Sequence, residues 1–258
     1  MLAKLGGQGG TAIATPAELR PLADLLRTAQ PCVVLTGAGM STASGIPDFR
    51  GPGGLWRSAR LARDLSLRTL SSNPRRFYRR ALPLFAAMHR AQPNAGHLAL
   101  ARLEQAGLLQ AVITQNIDGL HQRAGSSRVL ELHGHLRTAS CTGCLRRVPF
   151  PDLVEKVARG ELPPLCKHCT FPLRPDVVLF GDLLGLGFED TRQLVKACGL
   201  LLVVGSSLEV TPAAYLPMLT RRLAIINRTP TPLDSRAQLV VRGEAAAALE
   251  ALAREVVA

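Results

Sequence analysis

Cys141, Cys144, Cys166 and Cys169 form two C-x-x-C pairs with 21 residues between Cys144 and Cys166. Two such knuckles at this spacing build a closed tetrahedral thiolate shell for zinc, with no coordination position left for a substrate. The expected metal site is therefore structural. A pair of redox dithiols is the rival, but neither Cys-Thr-Gly-Cys nor Cys-Lys-His-Cys opens a helix after a strand. Cys32 and Cys198 read as buried core thiols.

A second chemical group sits near the start. Gly37-Ala38-Gly39-Met40-Ser41 directly follows an apolar run, and glycines there let the backbone approach a pyrophosphate. A hydride-transferring dehydrogenase would need a third glycine where Thr42 stands, and an acid about 20 residues further on. Neither is present. Further along, Gln115, Asn116 and Asp118 offer an amide pair and a carboxylate, and His133 offers a titratable imidazole suited to general-base work. The plainer reading is that Asn116 and Asp118 shape the turn before Gly119. His121 reads as a packing or supporting residue.

These groups need strands and helices to bring them together. Thr15-Pro-Ala-Glu18 is a capping box, although Pro21 argues for a helix that begins there instead. Short apolar strands are expected at 32–36, 111–114, 129–132, 177–180, 200–204, 223–226 and 238–241. Helices such as 95–106 and 190–198 separate several of them. Continuous apolar strands alternating with helices predict an α/β fold with a doubly wound, parallel, Rossmann-like sheet. Both polar clusters then leave carboxyl ends of strands, where such sheets bind ligands. Residues 51–93 (Arg-rich, helical) and 135–175 (carrying the four cysteines) break this rhythm. The expected division is a sheet domain of 1–50, 92–134 and 175–258. A helical module, 51–91, and a zinc module, 135–174, form a smaller inserted domain over one sheet edge.

Composition narrows the class. The 258 residues are 47 % hydrophobic and 19 % charged, which excludes an extended disordered chain. No apolar run is long enough for a membrane span, and residues 1–15 lack the apolar centre of an export signal. A soluble cytoplasmic protein is expected. The formal net charge is +12, and nine arginines against the single acid Asp64 occupy 57–90. That stretch is either a solvated face or a patch for nucleic acid or another polyanion.

The blocks GAGMS, SGIPDFR, TQNIDGLH, HG, the paired CxxC, RPDVVLFGD (174–182), GSSLEVTP (205–212) and IIN (225–227) occur in the order seen in the sirtuins. The chain resembles a bacterial member of that family of NAD-dependent protein deacylases from about residue 19 to 257. The resemblance implies NAD, consumed as co-substrate, and one structural zinc ion. It assigns Gly37, Ala38, Gly39 and Ser41 to the pyrophosphate loop, and Asp48, Phe49 and Arg50 to a cofactor-binding loop. Gln115, Asn116, Ile117 and Asp118 fall around the nicotinamide and its ribose, with Asn116 and Asp118 taking part in catalysis. Gly205, Ser206, Ser207, Asn227 and Ala245 fall around the adenosine half, and His133 is the implied general base. Val178, Phe180 and Gly181 would pair an acyl-lysine peptide in β-augmentation fashion with 205–210.

The implied reaction is protein-lysine deacetylation that releases nicotinamide and O-acetyl-ADP-ribose. Two departures qualify it. Asp182 stands where the family usually has Glu, shortening the reach of that carboxylate. Family members that remove succinyl or malonyl groups carry a Tyr-x-x-Arg pair, whereas Tyr78 here is followed at plus three by Ala81, with Arg79 and Arg80 out of step. An uncharged acyl group is therefore expected, acetyl or a longer chain. The rivals are ADP-ribosyl transfer to protein on the same fold and a zinc-ribbon nucleic-acid binder. Against the latter, only 4 % of residues are aromatic, few for base stacking.

Overall fold

A computed structural model describes residues 15–48, 54, 59–185 and 187–257. Its centre is a six-stranded, all-parallel sheet in the order β3-β2-β1-β7-β8-β9. The strands are β1 (Cys32–Thr36), β2 (Ala111–Thr114), β3 (Val129–Glu131), β7 (Leu200–Val204), β8 (Leu223–Ile226) and β9 (Leu239–Val241). Every residue of β1, β2, β7 and β8 is buried, because both faces are covered. Val34, Val112, Leu202 and Ala224 pack with α1 (Pro16–Thr28), α5 (Ala95–Gln105) and α9 (Ala245–Val257). Val33, Ala111, Leu201 and Leu223 pack on the other face with α8 (Gly187–Ala197) and the 3-10 segment Ala213–Leu219. β3 and β9 lie at the two edges and are largely half-buried, less enclosed than the apolar composition of 129–132 and 238–241 suggests.

α1 begins at Pro16 and runs through Pro21. The Thr15 hydroxyl accepts from the Glu18 N–H while Glu18 accepts from the Thr15 N–H, so the capping box nucleates the helix before Pro21 removes a single interior bond.

The two interrupting segments share one core. α4 (Pro74–Arg90) supplies Phe77, Tyr78 and Phe85, and the turn between α2 (Ala59–Asp64) and α3 (Leu67–Ser72) supplies Leu65. β4 (Gly134–Cys141), β5 (Arg147–Pro149), α7 (Phe150–Ala158) and β6 (Leu173–Val177) supply Leu136, Phe150, Leu153 and Leu173. The three strands make an antiparallel sheet, β5-β4-β6. Here the parallel-strand expectation for 177–180 is corrected. Only Val177 is in a strand, at the end of β6 in the small antiparallel sheet. An apolar run of four residues carries no information about which sheet it joins, and 178–180 instead run along a cleft. No helix among the described residues is long and apolar enough to cross a membrane.

Candidate active site

β1 and β7 are neighbours from which the strand order runs outward in opposite directions, and their carboxyl ends form the switch point of the sheet. The Gly39 N–H donates to Gly205 O at 2.8 Å, and the Gly37 N–H to Val204 O at 3.1 Å. A Cβ on Gly37 or Gly39 would lie 2.9 Å from the 205–206 backbone. One on Gly205, whose φ is +61°, would lie 2.5 Å from Met40 N. The two loops therefore form a backbone-walled crevice open to a phosphate-bearing ligand. Two short 3-10 turns, Ala38–Met40 and Thr42–Ser44, follow Gly37 in place of an α-helix N-terminus.

The crevice belongs to a cleft of about 880 Å³. Gly37, Ala38, Gly39, Ser41, Asp48, Gln115, Asn116, Ile117, Asp118 and His133 all line it. So do Val178, Phe180, Gly181, Gly205, Ser206, Ser207, Asn227 and Ala245. Phe49 and Arg50 lie outside the described residues. Asn116 Nδ2 donates to Gly37 O (3.1 Å) and to Ser41 Oγ (3.0 Å), and Ser41 Oγ donates to Asp118 Oδ2 at 2.7 Å. Gln115 Nε2 donates to Ser206 Oγ at 2.8 Å, tying the two halves together. Burial raises the Asp118 carboxyl above its ordinary range, against the Leu120 N–H and the Ser41 hydroxyl, which favour the anion.

His133 stands between β3 and β4, where Gly134 (φ +72°) turns the chain into the small sheet. A Cβ on Gly134 would meet Asp176 O at 2.2 Å, so the residue after His133 must be glycine. His133 Nδ1 lies 2.8 Å from Gln115 O. A carbonyl only accepts, so Nδ1 carries the proton and Nε2 the lone pair. Burial lowers the imidazole below its ordinary range, outweighing the Gln115 hydrogen bond that raises it. The neutral, accepting form is thus the resting state near neutral pH.

Residues 37–212 match the family model described as the Sir2 family. The chain belongs to the Sir2 family. It is 47 % identical over 228 residues to NAD-dependent protein deacetylase 2 of Caldanaerobacter subterraneus subsp. tengcongensis, covering 88 % of this chain and 91 % of that protein. The NAD-dependent protein deacetylase of Thermotoga maritima is 42 % identical, over 86 % of this chain and 92 % of its own length. Among solved structures, a Sir2–p53 peptide–NAD+ complex superposes with a TM-score of 0.83 at 40 % identity, covering 92 % of this chain and 96 % of that chain. A Sir2 complex with a propionylated peptide gives 0.83 at 38 % identity, covering 93 % and 97 %.

In this Sir2 family member the cleft has an apolar end that the motifs did not reveal. Ile46, Leu65, Leu84, Phe85, Met88, Val177 and Leu179 line it, all from the core shared by the two interrupting segments and their neighbours. The helical spacing of Leu84, Phe85 and Met88 was the available signal, but it points equally to a core. Arg228 was also missed, although it adjoins the IIN block. It pairs with Asp48 at 3.3 Å and Glu244 at 3.0 Å across the mouth of the cleft. Along the rim, Leu67 N–H donates to Phe180 O and Val178 N–H to His133 O, at 3.0 and 2.8 Å. Asp182 pairs with Arg174 and accepts the Leu179 N–H at 2.8 Å, so the shorter carboxylate still reaches its partners. Tyr78 is buried, with its hydroxyl donated to Leu173 O in the core shared by the two interrupting segments.

The donor atoms of Cys141, Cys144, Cys166 and Cys169 all lie within 4.8 Å of one another. N–H groups of Gly143 and Cys144 point at Cys141 Sγ, and that of His168 at Cys166 Sγ. Burial pushes the Cys141 thiol up, but those N–H groups and the neighbouring thiols bring it down to about 6. This is a donor set prepared for a thiophilic divalent ion, and zinc fits it. Cys32 and Cys198 are buried elsewhere, in the core of the large sheet. The described arginines of 57–90 are all exposed, with Arg76 and Arg80 paired to Asp64.

Proposed function

We propose that this protein is an NAD-dependent protein-lysine deacetylase that transfers the acyl group to ADP-ribose and releases nicotinamide. The observation that carries this reading is one cleft joining a glycine-walled phosphate crevice, a buried carboxylate, an imidazole with a free Nε2 and an apolar channel. NAD supplies the electrophilic ribose carbon and, in nicotinamide, its leaving group. Gly37, Ala38, Gly39 and Ser41 hold the pyrophosphate, and Gly205, Ser206, Ser207, Asn227 and Ala245 the adenosine half. Asp48, Phe49 and Arg50 belong to the cofactor-binding loop. Asn116 and Asp118, with Gln115 and Ile117, orient the nicotinamide half. His133 takes a ribose hydroxyl proton at Nε2, for which its buried, neutral form is suited. The acyl-lysine peptide runs between 178–181 and 205–210, with the acyl chain in the apolar end.

Cys141, Cys144, Cys166 and Cys169 hold one zinc ion that clamps the small sheet. The helical and zinc modules act as one small domain against the NAD-binding sheet domain. A reducing compartment, the cytoplasm, suits the four-thiol centre. An uncharged acyl group is favoured because Tyr78 is spent on Leu173 O and Ala81 offers no cation.

Mass spectrometry of acyl-lysine peptides incubated with and without NAD tests the reading. Loss of acetyl that requires NAD, with nicotinamide and O-acetyl-ADP-ribose appearing, is expected. ADP-ribose retained on protein without deacetylation would replace it with transferase activity. Faster removal of succinyl than acetyl would refute the acyl assignment.

A further inference from the structure

Beneath the cleft runs a chain of polar side chains that this chemistry does not use. His97 of α5 and His121 of α6 (Leu120–Arg123) are both buried, their ring centroids 4.8 Å apart and the rings inclined at 59°. His121 Nε2 is 2.9 Å from Thr36 Oγ1 at the end of β1, and Thr36 Oγ1 is 2.9 Å from Thr114 Oγ1 at the end of β2. Thr114 Oγ1 accepts the backbone N–H of Asn116 at 3.1 Å. At the far end the Asn94 N–H donates to His97 Nδ1 at 3.3 Å. The Asn94 side chain donates to Met40 O and Ser44 Oγ.

Two buried ring atoms have no hydrogen-bond partner, His97 Nε2 and His121 Nδ1. Fixed donors decide where the protons are. Asn94 N–H can only donate, so His97 Nδ1 accepts and the proton of the neutral ring is on Nε2. The single hydroxyl proton of Thr36 goes to Thr114, so toward His121 Nε2 the Thr36 oxygen can only accept. His121 therefore carries its proton on Nε2 and donates to Thr36, whose hydroxyl donates in turn to Thr114. Burial depresses both imidazoles, His97 to about 4, so this single direction persists near neutral pH.

We propose that His121, backed by His97, is a positioning residue that holds the Asn116 peptide through Thr36 and Thr114 in the orientation required for nicotinamide release. The proposal rests on the reading that segment 115–118 contacts the nicotinamide half. Asn116 is the pivot of that segment: its side chain reaches Gly37 O and Ser41, and Ser41 reaches Asp118. Losing the relay frees one buried N–H and lets these groups drift together.

His121→Gln places an amide N–H near the original Nε2–H, His121→Met removes it at similar bulk, and Thr114→Val removes the acceptor for Asn116. In the full-length, zinc-loaded enzyme, His121→Met and Thr114→Val should each cut kcat for nicotinamide release about tenfold to hundredfold. The KM for acetyl-lysine peptide should stay near the parent value, and His121→Gln should recover most of the rate. Melting transitions and zinc content identify any variant that has merely unfolded, and general loosening would give neither the split nor the rescue. Parent rates in both His121→Met and Thr114→Val, or a loss with raised peptide KM and no rescue by Gln, would overturn the proposal. Asp118→Asn is measured alongside. If it slows release while His121→Met does not, the proposal falls and the reading of 115–118 stands. If neither slows release, that reading falls and takes the proposal with it.

Discussion

The two nitrogens of His133 are differentiated by a backbone carbonyl: Gln115 O fixes the proton on Nδ1, and burial keeps the ring neutral. Replacing His133 by Ala should leave the far-UV circular dichroism unchanged while deacetylation falls by about a hundredfold or more, the usual scale of a lost general base. Near-full turnover would show that the base lies elsewhere. The lowered pKa sets the sign of the pH dependence. Protonation below the ordinary imidazole value of about 6.5 removes the acceptor, so kcat/KM should rise with pH on the acid side and level off at or below that value. A rate that begins to rise only above pH 7 would contradict the assignment. Asp118 shows the limit of reading residues alone. Its type and its place after a strand were legible, but its raised carboxyl comes from burial, which no local pattern reports.

At the scale of elements, the second apolar core depends on two parts of the chain that are apart in sequence. Phe77, Tyr78 and Phe85 of α4 pack with Phe150 and Leu153 of α7 and with Leu173 of β6. α4 also supplies Leu84, Phe85 and Met88 to the apolar end of the cleft. Stripping zinc with a strong chelator should therefore melt β4, β5 and β6 and abolish deacetylation together, because metal-binding energy in such a module is folding energy. Full activity of a zinc-free Cys141→Ser variant would refute this coupling. The capping box and the four central strands were readable because local capping and sustained apolar character dominate there. Residues 177–180 were misplaced because their partner, β4, is supplied by a turn at Gly134 that only the three-dimensional path reveals.

The whole molecule carries His97 and His121 buried and neutral in the fold, where burial dominates both depressions. Unfolding exposes them to water, where each takes up a proton below about 6.5. The unfolded state then binds more protons, so stability should be fully present above that pH and fall as pH drops toward 4, by up to about 1.4 kcal/mol per pH unit for each ring. Asp118, whose carboxyl is raised, opposes this trend over its own range. Urea melts at pH 7, 6 and 5 should show the fall, and His97→Gln should make it shallower while leaving the His121 contribution. An unchanged midpoint across that range would mean that neither ring is held neutral.

By itself the sequence determined the chemistry-bearing parts: a four-thiolate metal site, glycines after a strand, and an amide, a carboxylate and an imidazole leaving strand ends. Each is a matter of residue type at short spacing, which covalent geometry makes local. Only the tertiary structure decided which of these share a cleft, with 168 positions separating Gly37 from Gly205 while their loops meet at hydrogen-bond distance. It also decided that α4 lines the apolar end of the cleft and that two buried imidazoles stand behind Asn116. Such contacts arise when apolar faces from distant segments leave water together, and no spacing along the chain records which faces those will be.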